Sequence, residues 1–105
     1  MTASLQTGRL VGRVAVVTGA ARGIGEAIAA RLAAEGAAVF LADIDGDVAI
    51  AAAARISQSG AMAVGVRTDI TSEASIAELR QRIESEHGRL DILVNNAGIL
   101  GARAF

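Results

Sequence analysis

Cysteine and proline are both missing from the 105 residues, as are tyrosine and tryptophan, and two phenylalanines are the only Phe, Trp or Tyr side chains. Without cysteine there is no disulfide framework and no thiolate metal site, and the single His87 cannot build a histidine cluster, so no metal role is expected. Without proline there is no proline-rich linker, and nothing marks a second domain. No apolar run approaches the roughly 18 uninterrupted residues of a membrane span, because Arg and Glu cut the alanine-rich stretches. Residues 1–12 also carry no long apolar run, which makes the cytoplasm the expected compartment. Ten basic and eleven acidic residues, net charge −1, are scattered along the chain. That leaves neither a basic stripe for nucleic acid nor a polybasic patch for a membrane.

What is present is a hydrophobic fraction of 52%, much of it alanine. The core must come from Val, Ile, Leu and Ala, each burying less area than Phe or Trp, so a thin core is expected. A chain of this length makes one small domain of marginal stability.

Residues 1–9 read as a polar, low-pattern leader and residues 10–105 as the folded part, starting near Arg13. Four continuous apolar runs, at 14–17, 38–42, 62–66 and 91–94, have the form of parallel strands buried on both faces. Between them the pattern is helical. Residues 24–35 set Ile24, Ala27, Ile28 and Leu32 on one face and end at Gly36. Residues 47–58 form an alanine-rich helix stopped by Gly60. Residues 72–87 place Ile76, Leu79 and Ile83 at core spacing, with Thr71 or Ser72 as N-cap and Gly88 at the end. His87 reads as a helix-end residue interacting with the dipole, not as a ligand or base. The order βαβαβαβ specifies an α/β fold with a parallel sheet and right-handed crossovers.

The segment Thr18-Gly19-Ala20-Ala21-Arg22-Gly23-Ile24-Gly25 lies where the first strand turns into the first helix. Side chains at Gly19, Gly23 and Gly25 would hold an anion away from the backbone N–H groups, and a helix N-terminus adds unpaired donors and partial positive charge. The chemistry suits a dinucleotide pyrophosphate, although the spacing GxxxGxG differs from the common fingerprint GxGxxG and glycines also mark ordinary turns. Asp43 closes the second strand about 20 residues further on, where a carboxylate can accept from both ribose hydroxyls and repel a 2′-phosphate. Its alternative job is that of a turn or N-cap residue, which Asp45 or Asp47 could equally do.

With these residues in hand the chain resembles the short-chain dehydrogenase/reductases, NAD(P)-dependent oxidoreductases on a Rossmann fold. TGAARGIG at 18–25 is similar to the family's TGxxxGxG, Asp69-Ile70 to its adenine-contacting Asp after the third strand, and NNAG at 95–98 to its motif after the fourth. The resemblance runs from about Gly12 to Phe105, while a full family domain is more than twice as long. It implies the N-terminal half of a doubly wound parallel sheet, with strand order 3-2-1-4 and the cofactor across the C-terminal edge. It also implies that Gly19, Ala21, Arg22, Gly23, Ile24 and Gly25 form the cradle, with Ile24 under the nicotinamide ring, and that Asp43 holds the ribose. By the same resemblance the Asp69 carboxylate meets the adenine amino group and the Ile70 backbone meets the ring edge. Asn96 braces the strands, and the backbone of Asn95, Asn96, Ala97 and Gly98 lies against the adenosine ribose. The bland reading of Asn95 and Asn96 is a strand end tolerant of left-handed geometry. Arg22, just before the second glycine, is in the family often a cue to NADP; Asp43 argues for NAD, which is the expected cofactor.

The implied activity is hydride transfer between NAD(H) and an alcohol or carbonyl substrate, in an enzyme that assembles as a homo-oligomer. The family's proton transfer uses a Tyr, a Lys four residues later and a preceding Ser, all downstream of NNAG. The sequence has no Tyr and hence no YxxxK pattern, so no residue here is assigned a catalytic role, and the 105-residue chain alone is expected to be inactive. The alternative is a stand-alone, non-catalytic nucleotide-binding module or a truncated inactive fragment. A reading frame continuing into a Ser followed by YxxxK separates the two. A methyltransferase with a similar glycine-rich first turn fits NNAG and TGxxxGxG poorly.

Overall fold

The computed structural model describes residues 8–96. Four strands and three helices alternate: β1 (Val14–Thr18), α1 (Gly23–Ala34), β2 (Ala38–Asp43), α2 (Gly46–Ser57), β3 (Ala63–Arg67), α3 (Glu73–His87) and β4 (Ile92–Val94). All strand pairs are parallel, and the spatial order is β3-β2-β1-β4. The order reverses between β1 and β4, so the crevice expected of such a sheet opens beyond their C-terminal ends.

Alternation along each strand divides the core into two layers. Ala15, Val17, Val39 and Leu41 point to the face covered by α1 and α2, and Val14, Val16, Phe40 and Ala42 to the face covered by α3 through Leu79 and Ile83. Seven of the ten buried residues in the first layer are alanine. Such small side chains let helices sit close to the sheet, and Gly65 shows how close: a Cβ there would meet the backbone of Ala49 in α2 at 2.5 Å. The inner strands are fully covered, but β3 and β4 are only half-buried, which differs from the expectation of four strands buried on both faces. Each outer strand pairs on one side only among the described residues.

Helix limits fall within a residue of those read from periodicity, but the inward face of α1 does not. Gly25, Ala29 and Ala33 are its buried residues, whereas Ala27 is exposed and Ile24 is 73% exposed. Ile28 and Leu32 flank the buried stripe. Capping follows ordinary chemistry at the other two helices: Asp45 accepts from the Val48 N–H at the start of α2, and Ser72, not Thr71, accepts from the Ser75 N–H at the start of α3. At the chain's beginning, contacts reach back past Arg13. The Arg9 N–H donates to the Glu35 carboxylate at 3.2 Å, and the Leu10 N–H to the Glu35 carbonyl at 2.7 Å.

Candidate active site: the glycine turn and its neighbours

The turn from β1 to α1 uses its three glycines for different reasons. Gly19 and Gly23 have φ of +64° and +66°, a left-handed backbone that L side chains avoid. A Cβ on Gly23 would meet nothing within 4 Å, so the space beside it is open to a ligand. Gly25 is buried in the first turn of α1, and a Cβ there would collide with the Gly19 carbonyl and lie 2.8 Å from the Asn96 side-chain amide nitrogen. Its missing side chain lets the helix close on its own entry loop. Arg22 is the N-cap, and unlike Asp45 and Ser72 it offers no side-chain cap. The first-turn N–H groups of Gly23, Ile24 and Gly25 have no acceptor within the helix, by helix geometry alone. An anion such as a pyrophosphate is the partner this donor set suits.

Hydrogen bonds tie that turn to the ends of the neighbouring strands. The Ala21 N–H donates to Asp43 Oδ2 at 3.2 Å, and the Asp45 N–H donates to Asp43 Oδ1 at 2.9 Å. Asp43 therefore braces the turn while each carboxylate oxygen keeps a lone pair for a further donor. The N-cap duty that Asp43 might have had belongs to Asp45. On the other side, the Asn96 side chain donates to the Gly19 carbonyl at 3.2 Å. The Thr18 hydroxyl, fully buried, accepts from the Asn96 N–H at 2.9 Å and lies 3.4 Å from the Val94 carbonyl and 3.3 Å from Asn95 Oδ1. Asn96 and Thr18 thus join the end of β4 to the glycine turn through hydrogen bonds.

Asp69 stands apart. Its Oδ1 accepts from the Thr71 hydroxyl at 2.6 Å and the Thr71 N–H at 2.9 Å, and these bonds hold its carboxyl below the usual carboxylate range. Its own N–H donates to the Ser75 hydroxyl. The side chain organises the entry to α3, and among the described residues its hydrogen bonds go to Thr71 and not to the glycine turn; Ile70, beside it, is half-buried. The Thr68 N–H, donating to the Asp43 carbonyl at 2.8 Å, links this loop to the end of β2. Ala97 and Gly98 lie outside the described residues.

Arg22 reaches away from the turn to Asp45, with Nη2 and Oδ2 3.0 Å apart and both side chains largely in solvent. The two residues stand 23 positions apart in the sequence, and Asp45 also caps α2. Beside it a hollow of about 340 Å³ is lined by Ile44, Asp45, Gly46, Asp47, Ile50 and Arg67. The larger concavity, about 530 Å³, lies at the opposite, N-terminal edge of the sheet, among Gly12, Arg13, Gly36, Gly60 and His87. The first-turn N–H groups of α1 and the carboxylates of Asp43, Asp45 and Asp69 all lie at the C-terminal edge, which makes that edge the candidate site despite its smaller hollow. His87 itself packs edge-on to Phe40, ring centres 5.5 Å apart. No helix among the described residues is long and apolar enough to cross a membrane.

The sequence pattern of the short chain dehydrogenase family matches residues 13–105. Cis-4-hydroxycyclohexanecarboxylate dehydrogenase from Sinomonas cyclohexanicum is 52% identical over 93 residues, covering 88% of this chain and 36% of that protein. A crystal structure of hydroxysteroid dehydrogenase from Escherichia coli superposes with a TM-score of 0.82 at 46% identity, over 86% of this chain and 38% of the other. A metagenomic short-chain oxidoreductase in complex with NADP gives a TM-score of 0.81 at 43% identity, over 86% of this chain and 41% of the other. The chain spans little more than a third of the length of these relatives. With its Rossmann-like sheet, its glycine turn and this family match over nearly its whole length, the chain belongs to the short-chain dehydrogenase/reductase family.

Proposed function

We propose that the chain is the NAD-binding part of an oxidoreductase that moves hydride between a nicotinamide cofactor and an alcohol or carbonyl carbon. When bound, the cofactor supplies the hydride acceptor or donor at its nicotinamide carbon. This chain's residues do the holding. The N–H groups at the start of α1 receive the pyrophosphate, Gly23 leaves room for its approach, and Asp43 accepts from the ribose hydroxyls. Asn96 and Thr18 keep the glycine turn in register with the end of β4. The proton that accompanies hydride transfer needs an acid/base group, and by family resemblance that is a Tyr assisted by Lys and Ser, none of which is a residue of this 105-residue sequence in the required pattern.

The observation that carries the choice of NAD is the Asp43 carboxylate, fixed by two backbone N–H groups at 3.2 and 2.9 Å at the end of β2. A negative charge held there accepts charge-assisted hydrogen bonds from two hydroxyls and repels a 2′-phosphate. The NADP seen in one relative belongs to that relative. Calorimetric titration of the full-length protein with NAD and NADP tests the reading: NAD should bind more tightly, and Asp43→Ala should weaken it by about 1–3 kcal/mol while narrowing the difference. Equal affinities in the unmutated protein would sink the assignment.

A further inference from the structure

Arg22 and Asp43 carry opposite instructions for the adenosine ribose, one charge attracting a 2′-phosphate and the other repelling it. Both residues meet at Asp45, whose only role so far is to cap α2. Asp45 follows the end of β2, and its N–H is bonded to Asp43 Oδ1 at 2.9 Å, which fixes its backbone beside the ribose-binding carboxylate. One of its own oxygens, Oδ1, accepts from the Val48 N–H to cap α2, and the other, Oδ2, holds Arg22 Nη2 at 3.0 Å. The guanidinium is thereby drawn from the N-cap of α1 to the N-cap of α2, alongside Asp43, with its charge already matched.

From this geometry we propose that Asp45 is a specificity-determining residue for the dinucleotide. By pairing with Arg22 it withholds that cation from a 2′-phosphate and reinforces the selection of NAD by Asp43. The proposal rests on the assignment of Asp43 to the ribose. An exposed pair of this kind contributes a factor of about fivefold or less in an equilibrium, which sets the scale of the effect. Arg67 also lies close by, lining the same hollow as Asp45, and must be separated from Arg22 in the test.

The experiment is a double-mutant cycle on the full-length protein, read as the ratio of NADP to NAD dissociation constants by calorimetry. Asp45→Asn keeps a side-chain oxygen for the cap but frees the guanidinium, and should move the ratio toward NADP about fivefold. Arg22→Gln should then shift the ratio back by about that factor in the Asp45→Asn background, and by less than twofold in the unmutated protein. Asp45→Ser, which also caps, should repeat the result and guards against a folding artefact. An Arg22→Gln effect of equal size in both backgrounds overturns the proposal. So does a gain that survives Arg22→Gln, whether it then depends on Arg67 or on loss of negative charge alone. If the unmutated protein binds neither dinucleotide, or if Asp43→Ala changes neither affinity, the underlying functional reading fails first and this proposal falls with it.

Discussion

At the scale of single residues, Gly23 and Gly25 look alike in the sequence and do different work in the structure. Gly23 carries the positive φ and borders open space; Gly25 is wedged against the Gly19 carbonyl and the Asn96 amide. Gly25→Ala should therefore cost about 1–3 kcal/mol of stability, the range of an overpacked site, because neither the loop nor the Asn96 brace can move without breaking hydrogen bonds. Gly23→Asn should cost about 1 kcal/mol or less, since Asn tolerates left-handed backbone, yet should impair NAD binding by filling the open space. Urea unfolding and NAD titration of both variants check the pair; a Gly25→Ala protein as stable as its parent would contradict the packing account. The motif was legible as a set, because glycines between a strand and a helix are a strong local signal. The division of labour was not, since a positive φ and a backbone collision leave the same letter in the sequence. Asp45 was hidden for a related reason: its capping role is local and readable, but its pairing with Arg22 depends on two loops meeting across 23 positions of sequence.

Among the elements, α1 shows where periodicity misleads. Spacing of the large apolar residues puts Ile24 on the core face, yet the buried stripe is Gly25, Ala29 and Ala33. Small residues win that face because the helix lies close to a parallel sheet and a larger side chain would hold it off. The strand limits were readable from apolar runs, but the start of β4 depends on a side chain. Asp91 lies just before the strand and clamps it to β1: its Oδ2 accepts from the Val14 N–H at 2.8 Å, and its N–H donates to the Val14 carbonyl at 2.9 Å. The Arg89 guanidinium bonded to Asp91, together with the Val14 N–H, holds the Asp91 carboxyl below the usual carboxylate range. A carboxyl lowered in the folded state stabilises it above the unfolded value of about 3.9 and loses that contribution as pH falls through the folded value. Asp91→Asn should therefore melt below the parent at neutral pH, and the two melting curves should converge as pH is taken below about 4. A gap in melting temperature that stays constant from pH 7 to pH 3 would show that the clamp owes nothing to charge.

The whole molecule exposes what the topology rule and the composition imply together. Alternating strands and helices made a parallel sheet legible, but the order 3-2-1-4 came from the family resemblance, because periodicity does not say which strands are neighbours. The same order leaves β4 paired with β1 alone among the described residues, with Leu93 42% and nearby Leu90 40% exposed. An apolar strand with an open edge is a template for pairing with another chain. The layer that must oppose such pairing is built largely of alanine, each residue burying too little area to lend β4 much stability. The purified 1–105 polypeptide should therefore self-associate, and its amides at Ile92–Val94 should exchange far faster than those of β1 and β2, whose residues are almost entirely buried. Association through that edge would join strands side by side and need not reproduce any assembly of the longer relatives. Size-exclusion chromatography with hydrogen exchange decides the point. A sharp monomer peak with protection at Ile92–Val94 equal to that at Val16 and Val17 would mean that one paired edge and the Asp91 clamp suffice to hold β4, and the argument from its open side would be wrong.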